Sequence, residues 1–232
     1  MESRFSFPCF IPHLIVVGQQ RCGTSALHKY LLNFPEIVSL PRPKESHFFD
    51  KRFNYGFHWY RRCYPRVLNN QLVLEFCPSY LTSLAALSRL HYYSKFAPVC
   101  PTIVVISRNK EQQISSLLNY RYQRKQIAKP LEELCLSSDV LSADLLSDSL
   151  ISLWKIYFPD LVEISYNSCS LIPDFLEVLN HSKLLPSPIP FTPSLADFVN
   201  LSQGRYLNQR YLSSLKPCKE MAIRLSPRLF YS

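Results

Sequence analysis

The 232-residue chain predicts an α/β fold of three layers, a central parallel sheet flanked by helices on both faces. Three observations lead there. Short runs rich in β-branched residues recur along the chain, each nearly all apolar, as strands buried on both sides are. Helical patterns with one apolar stripe alternate with these runs. Glycine, proline or small polar residues separate the two kinds of segment. A chain of this length, 47% hydrophobic, suits one domain over residues 1–232.

The elements follow in order. His13 to Gly18 is a β-branched run ending in glycine and predicts the first strand. Thr24 to Asn33 predicts a helix: Ala26, Leu27, Tyr30, Leu31 and Phe34 share one stripe, and Pro35 stops it. The segment from Leu40 to Pro65 reads as irregular, too polar for core and too aromatic for a plain linker. Leu72 to Phe76 predicts a second strand, Ser83 to Phe96 a helix and Thr102 to Ser107 a third strand. A basic helix is expected from Lys110 to Gln126 and another from Leu150 to Tyr157. A strand from Leu161 to Tyr166 and a helix from Ile172 to Asn180 come next. Pro186, Pro188, Pro190 and Pro193 then interrupt the chain before a last helix after Arg205.

Composition narrows the function. A formal net charge of +9 with only 19% charged residues describes a folded chain that meets an anion, be it nucleic acid, membrane surface, nucleotide phosphate or sulfated polymer. The eight cysteines are scattered, with no C-x-x-C and no histidines at ligand spacing, which predicts free thiols and no metal site. No run of 18 or more apolar residues predicts a transmembrane segment. The Phe5 to Val17 stretch is broken by Pro8, Pro12 and His13 and leads into the first strand.

Four motifs bear on chemistry. Gly18-Gln-Gln-Arg21-Cys22-Gly23-Thr24-Ser25 lies between a strand and a helix and has the form of a phosphate loop. Glycines let the backbone curl, and the helix N-terminus offers N–H groups to an anion. The plain alternative is a strand-to-helix turn. Thr24 stands where ATP and GTP enzymes of phosphate-loop NTPase-like fold place lysine. Lys44-Glu45-Ser46-His47-Phe48-Phe49-Asp50 offers Glu45 as a general base with His47 beside it; the alternative is a solvated ion pair against an aromatic plug. Arg108 ends the third strand and Ser116 follows eight residues on, about 160° from the apolar stripe of its helix. Strand ends of open α/β sheets are where ligands bind. Gln203, Gly204 and Arg205 form the last motif, a loop before a helix.

In order and spacing, these motifs resemble those of the sulfotransferases that use PAPS (3′-phosphoadenosine 5′-phosphosulfate), and most nearly the heparan sulfate 3-O- and N-sulfotransferase type. The likeness spans about Leu14 to Arg205. It implies PAPS as sulfuryl donor without a metal, and a hydroxyl or amine acceptor on a glycosaminoglycan-like carbohydrate. Arg21, Cys22, Gly23, Thr24 and Ser25 would hold the 5′-phosphosulfate. Arg108 and Ser116 would hold the 3′-phosphate, and Gln203, Gly204 and Arg205 would close over the nucleotide. Glu45 would be the catalytic base, helped by His47 and Arg21.

The likeness breaks at three lysines. Arg21 and Gln203 replace two of them. In Leu74-Glu75-Phe76-Cys77-Pro78-Ser79-Tyr80, Phe76 replaces the one that relatives hold beside the transferring group. Losing a cation there costs a few kcal/mol of barrier, so a slow, redirected or inactive chain is expected. Competing readings are a non-catalytic nucleotide or glycan binder and a nucleotide kinase of related fold. RNA binding through Arg121, Tyr122, Arg124 and Lys125 is set aside, since basic helix faces are usually solvated; no nucleic acid partner is expected. The family usually carries an N-terminal Golgi anchor, so the chain is expected in the cytoplasm if complete and in the Golgi lumen if a fragment.

Overall fold

The computed structural model describes residues 10–68, 70–110, 112, 113, 116, 117, 120, 147–167 and 170–182. Its elements are β1 (Leu14–Gly18), α1 (Thr24–Leu31), β2 (Ile37–Val38), α2 (Phe48–Lys51), a 3-10 turn (Phe53–Tyr55), α3 (Gly56–Cys63) and β3 (Leu72–Phe76). A 3-10 turn at Pro78–Tyr80 leads to α4 (Leu84–Ser94), β4 (Thr102–Ser107), α5 (Ser147–Tyr157), β5 (Val162–Ser165) and α6 (Leu171–His181). The chain is also helical at Lys110, Gln112, Gln113, Ser116, Leu117 and Tyr120. The five strands form one parallel sheet in the order β2-β3-β1-β4-β5.

The period of two along each strand divides the core. Leu14 and Val16 of β1, Leu72, Leu74 and Phe76 of β3, and Val104 and Ile106 of β4 face one layer, where α1 and α6 supply Leu27, Leu31, Phe175 and Leu179. Ile15, Val17, Val73, Ile103 and Val105 face the other, against Phe48, Phe49, Tyr60, Leu87, Leu90 and Trp154 from α2 to α5. Helices thus cover both faces, as expected. Ser83 caps α4 by accepting the Ala86 N–H at 3.1 Å. Gly18 permits the close crossing of β1 and β4: a Cβ there would lie 2.4 Å from the Ile106 carbonyl oxygen.

Two expectations need correction. Residues 40–65 contribute aromatic rings to the core, which their polar composition did not predict: Phe48, Phe49 and Tyr60 are fully buried, and the Phe48 and Tyr60 rings stack with centroids 4.2 Å apart. Two short helices and a 3-10 turn, none long enough to set up a clear period, bring these rings together. The strand β2 also went unforeseen, being two residues long. The basic helix beyond Tyr120, the proline passage and the last helix lie outside the described residues.

Phe76 is the second correction. Its place on β3 turns it into the α1–α6 layer, fully buried, edge-on to His28 at 5.1 Å and tilted against Phe175 at 6.3 Å. It therefore does not front a reacting group. Lysine there would bury a charge in an apolar layer. Phe76→Lys is expected to lose at least roughly 3 kcal/mol in urea unfolding, against about 1–2 kcal/mol for Phe76→Leu. Equal stabilities for Phe76→Lys and the parent chain would mean that the side chain can leave the core.

Candidate functional site

The C-terminal ends of β1, β3 and β4 lie side by side, and each delivers one part of the site. After β1 the chain turns through Gln19 to Gly23. Arg21 and Gly23 both take left-handed backbone angles, φ 69° and 78°. Glycine suits the second position doubly, since a Cβ there would lie 2.4 Å from the Tyr166 ring. No side chain caps α1, which leaves its first N–H groups facing the loop mouth. The loop is strapped from the β4 side. Arg108 Nη1 donates to the Arg21 carbonyl at 2.9 Å, Gln113 Nε2 to the Gln20 carbonyl at 3.2 Å, and the Arg108 backbone N–H to Gln19 Oε1 at 3.2 Å.

One group of predicted residues gathers on this side. Arg21 Nε donates to Ser116 Oγ at 3.3 Å, and its guanidinium lies 4.6 Å from the Tyr120 ring centroid. Arg108 stacks 4.5 Å from the Tyr166 centroid. Its Nε is buried with no hydrogen-bond partner among the described residues, so a donor is left over where an anion is expected. Cys22 points inward, its Sγ 3.6 Å from Gln19 Oε1; it shapes the loop from beneath. Ser25 is exposed at the start of α1.

A second group forms on the β3 side. Lys44 Nζ reaches Thr24 Oγ1 at 3.3 Å and Glu45 Oε1 at 2.9 Å, linking the loop to the candidate base. Glu45 Oε2 lies 3.3 Å from His47 Nε2. On the far side of that ring, Nδ1 is 3.1 Å from Asp50 Oδ2 and 3.2 Å from Ser79 Oγ, which itself donates to Asp50 Oδ2 at 2.8 Å. Glu45, His47, Asp50 and Ser79 are thus one connected chain of groups, with Glu45 the outermost at 29% side-chain exposure.

Beneath it lies a carboxyl that spacing did not single out. Glu75 alternates with Phe76 to face the opposite layer and is completely buried. It accepts from Ser46 and Tyr60, and from Tyr80 at 3.0 Å. Burial lifts its pKa from 4.5 to about 7, although the three hydrogen bonds pull the other way. Burial and the nearby Glu75 push both tyrosines well above their usual value, so they stay donors. His28, buried against the Leu40 carbonyl at 2.9 Å, is held below the usual histidine range, chiefly by burial.

Lys44, Asp50, Ser79 and Glu75 complete the site without having been predicted in it. Asp50 follows His47 at i+3, and Glu75 and Ser79 flank Pro78, so their segments were marked while their roles were not. Gln203, Gly204 and Arg205 lie outside the described residues.

A parallel sheet with a phosphate-type loop after β1 places the chain in the phosphate-loop class of α/β folds. No family model matches it. Human heparan sulfate glucosamine 3-O-sulfotransferase 6 is 36% identical over 104 residues, 45% of this chain and 29% of that protein. Human heparan sulfate glucosamine 3-O-sulfotransferase 3B1 is 35% identical over 85 residues, 37% of this chain and 21% of that protein. Human heparan sulfate glucosamine 3-O-sulfotransferase 5 is 22% identical over 204 residues, covering 82% of this chain and 54% of that protein. The match therefore spans less than a third of the first two relatives and about half of the third. In fold, the chain resembles the crystal structure of a sulfotransferase from Alicyclobacillus acidocaldarius, with a TM-score of 0.60, 19% identity, and coverage of 83% of this chain and 91% of that one. The chain is a divergent homologue of the sulfotransferases, with heparan sulfate 3-O-sulfotransferases among its relatives.

Glu75 generates a test by stability. The folded chain keeps its proton up to about pH 7, whereas the unfolded chain releases it near 4.5. Over that window unfolding frees a proton, so this group's contribution to stability falls as pH rises. Glu75→Gln, which cannot ionise, should flatten the slope: between pH 4.5 and 7 the difference from the parent chain is expected to change by on the order of 3 kcal/mol. Denaturant titrations across that range check it, and parallel curves for the two proteins would contradict it.

Proposed function

We propose that this chain moves a sulfuryl group from PAPS to a hydroxyl or amine of a carbohydrate acceptor of the glycosaminoglycan class. The observation that carries the reading is the Thr24–Lys44–Glu45 bridge, which sets a candidate base directly beside a loop suited to an anionic donor. The sulfotransferase homologues supply the class of reaction and of acceptor.

The roles follow from position. The N–H groups at the start of α1, with Thr24 and Ser25, bind the 5′-phosphosulfate, and Arg21, Arg108 and Ser116 bind the 3′-phosphate and close the loop around the nucleotide. The contact of the Arg21 head group with Ser116 and Tyr120 supports giving it a binding role beside the catalytic one that resemblance implied. Glu45 takes the acceptor's proton as the acceptor oxygen or nitrogen bonds to sulfur. The S–O bond to the nucleotide phosphate breaks, and PAP leaves with the electron pair. His47 and Asp50 hold the Glu45 carboxylate in line. Lys44 supplies a cation near the transferring group.

Nucleotide recognition is tested by calorimetry. PAP should bind without metal and more tightly than adenosine monophosphate. Arg108→Ala should lose roughly 1.5–3 kcal/mol of PAP affinity, as for a charge-assisted hydrogen bond, and most of the preference. Equal binding of the two nucleotides by the parent chain would overturn the 3′-phosphate assignment, and a need for magnesium would favour phosphoryl transfer.

Turnover with PAPS and a glycosaminoglycan panel tests the chemistry. Glu45→Gln should slow it by about 10²–10⁴ with PAP affinity kept. Lys44→Ala should lower kcat by roughly 10²–10³. PAP binding with no turnover on any acceptor would instead support the non-catalytic binder.

A further inference from the structure

Sequence spacing offers no metal site, yet the fold closes one. Glu45, His47 and Cys77 each present one ligand atom, and the three atoms lie within 4.8 Å of one another. Cys77 comes from the end of β3 and the other two from the segment before α2, 30 residues earlier for His47. Zinc bound by one nitrogen, one oxygen and one sulfur spaces its ligands at roughly 3.3–3.6 Å, from bond lengths of about 2.0–2.3 Å. His47 Nε2 and Glu45 Oε2 are already 3.3 Å apart, whereas Cys77 Sγ lies 3.8 Å from the other ring nitrogen, Nδ1. Closing the triangle on Nε2 requires the sulfur to rotate from the Nδ1 side of the ring.

The surroundings suit a cation of this kind. With Nε2 as ligand, His47 turns Nδ1 to Asp50 at 3.1 Å, the carboxylate–histidine pairing that orients metal-bound imidazoles. Asp50 Oδ1 is buried with no partner among the described residues, so negative charge there is not fully matched by the protein. Glu45 divides its oxygens, Oε1 to Lys44 and Oε2 to His47, so the second is the one a metal would take. Mixed imidazole, thiolate and carboxylate ligands favour zinc over magnesium or calcium.

We propose that Glu45, His47 and Cys77 form a binding site for Zn2+, with three protein ligands and one open position. A metal there engages the oxygen of Glu45 that would otherwise accept a proton. Its consequence is inhibition, which rests on the proposed role of Glu45; the site itself does not. The probe is Co2+, whose thiolate charge-transfer band reports a sulfur ligand, followed by displacement with Zn2+. The parent chain should take up one equivalent with that band. Cys77→Ser should abolish the band, and Glu45→Gln and His47→Asn should each weaken binding by at least about 10–100-fold, the usual loss for even an outer partner of a metal. Cys63→Ser and Cys100→Ser, at the two less buried of the free thiols among the described residues, should leave it unchanged. Loss of the band in Cys100→Ser, or its persistence in Cys77→Ser, would overturn the site, as would its absence from the folded parent chain. Should Cys77→Ser fold poorly, the two variants of partly exposed residues decide the question. None of these readouts depends on turnover, so failure of the metal site and failure of the sulfotransferase reading remain distinct.

Discussion

A carboxyl sealed in the interior must find donors or give up its charge, and Glu75 does something of both. Ser46, Tyr60 and Tyr80 converge on it from three separate segments. Ser46 stands between Glu45 and His47, so anchoring it fixes the backbone that carries the candidate base. Tyr80 also accepts the Phe49 N–H at 3.1 Å, and Arg52 Nη1 donates to the Ser46 carbonyl at 2.8 Å. The aromatic cluster of α2 and α3 surrounds these bonds and excludes water from them. Without that carboxyl, three polar groups would be left buried in an apolar layer, and the Glu45 segment would lose its main attachment to the sheet.

The phosphate loop is held by a different device. Its carbonyls are taken up by Arg108 and Gln113, and its side chains by Ser116, Tyr120 and Lys44. Arg108 therefore has a structural duty besides the one proposed for it. Lys44 joins the two halves, touching both the loop and the candidate base Glu45. A cation in that position lowers the repulsion between a carboxylate and an anionic donor brought close together.

Much of this was legible beforehand because the strands and helices carry clear periods. The strands at residues 14–18, 72–76 and 102–107 are mainly apolar, with Glu75 the charged exception, and a glycine-bounded loop follows the first. Arg108 and Ser116 stood out through a strand end and the helix after it, whereas Glu45 and His47 were singled out by the resemblance of their segment to that of sulfotransferases. Phe48, Phe49 and Tyr60 were not recognised as core because their helices are too short to show a stripe. Lys44 and Cys77 had no signal of their own; one charge or one thiol acquires meaning only when folding sets partners around it. Phe76 misled because its alignment with a lysine said nothing of which way the strand turns it.

The alternation along β3 has a consequence for how such a chain can change. Residues 72, 74 and 76 answer to the packing of α1 and α6, whereas 73, 75 and 77 face the layer that carries the candidate chemistry. One strand is thus read by two independent constraints, one on each side. Hydrophobic exchanges at the first set alter resilience without touching the reacting groups, and changes at the second alter the site while leaving the opposite layer packed. Position 76 thus answers to the packing side alone, whatever side chain stands there.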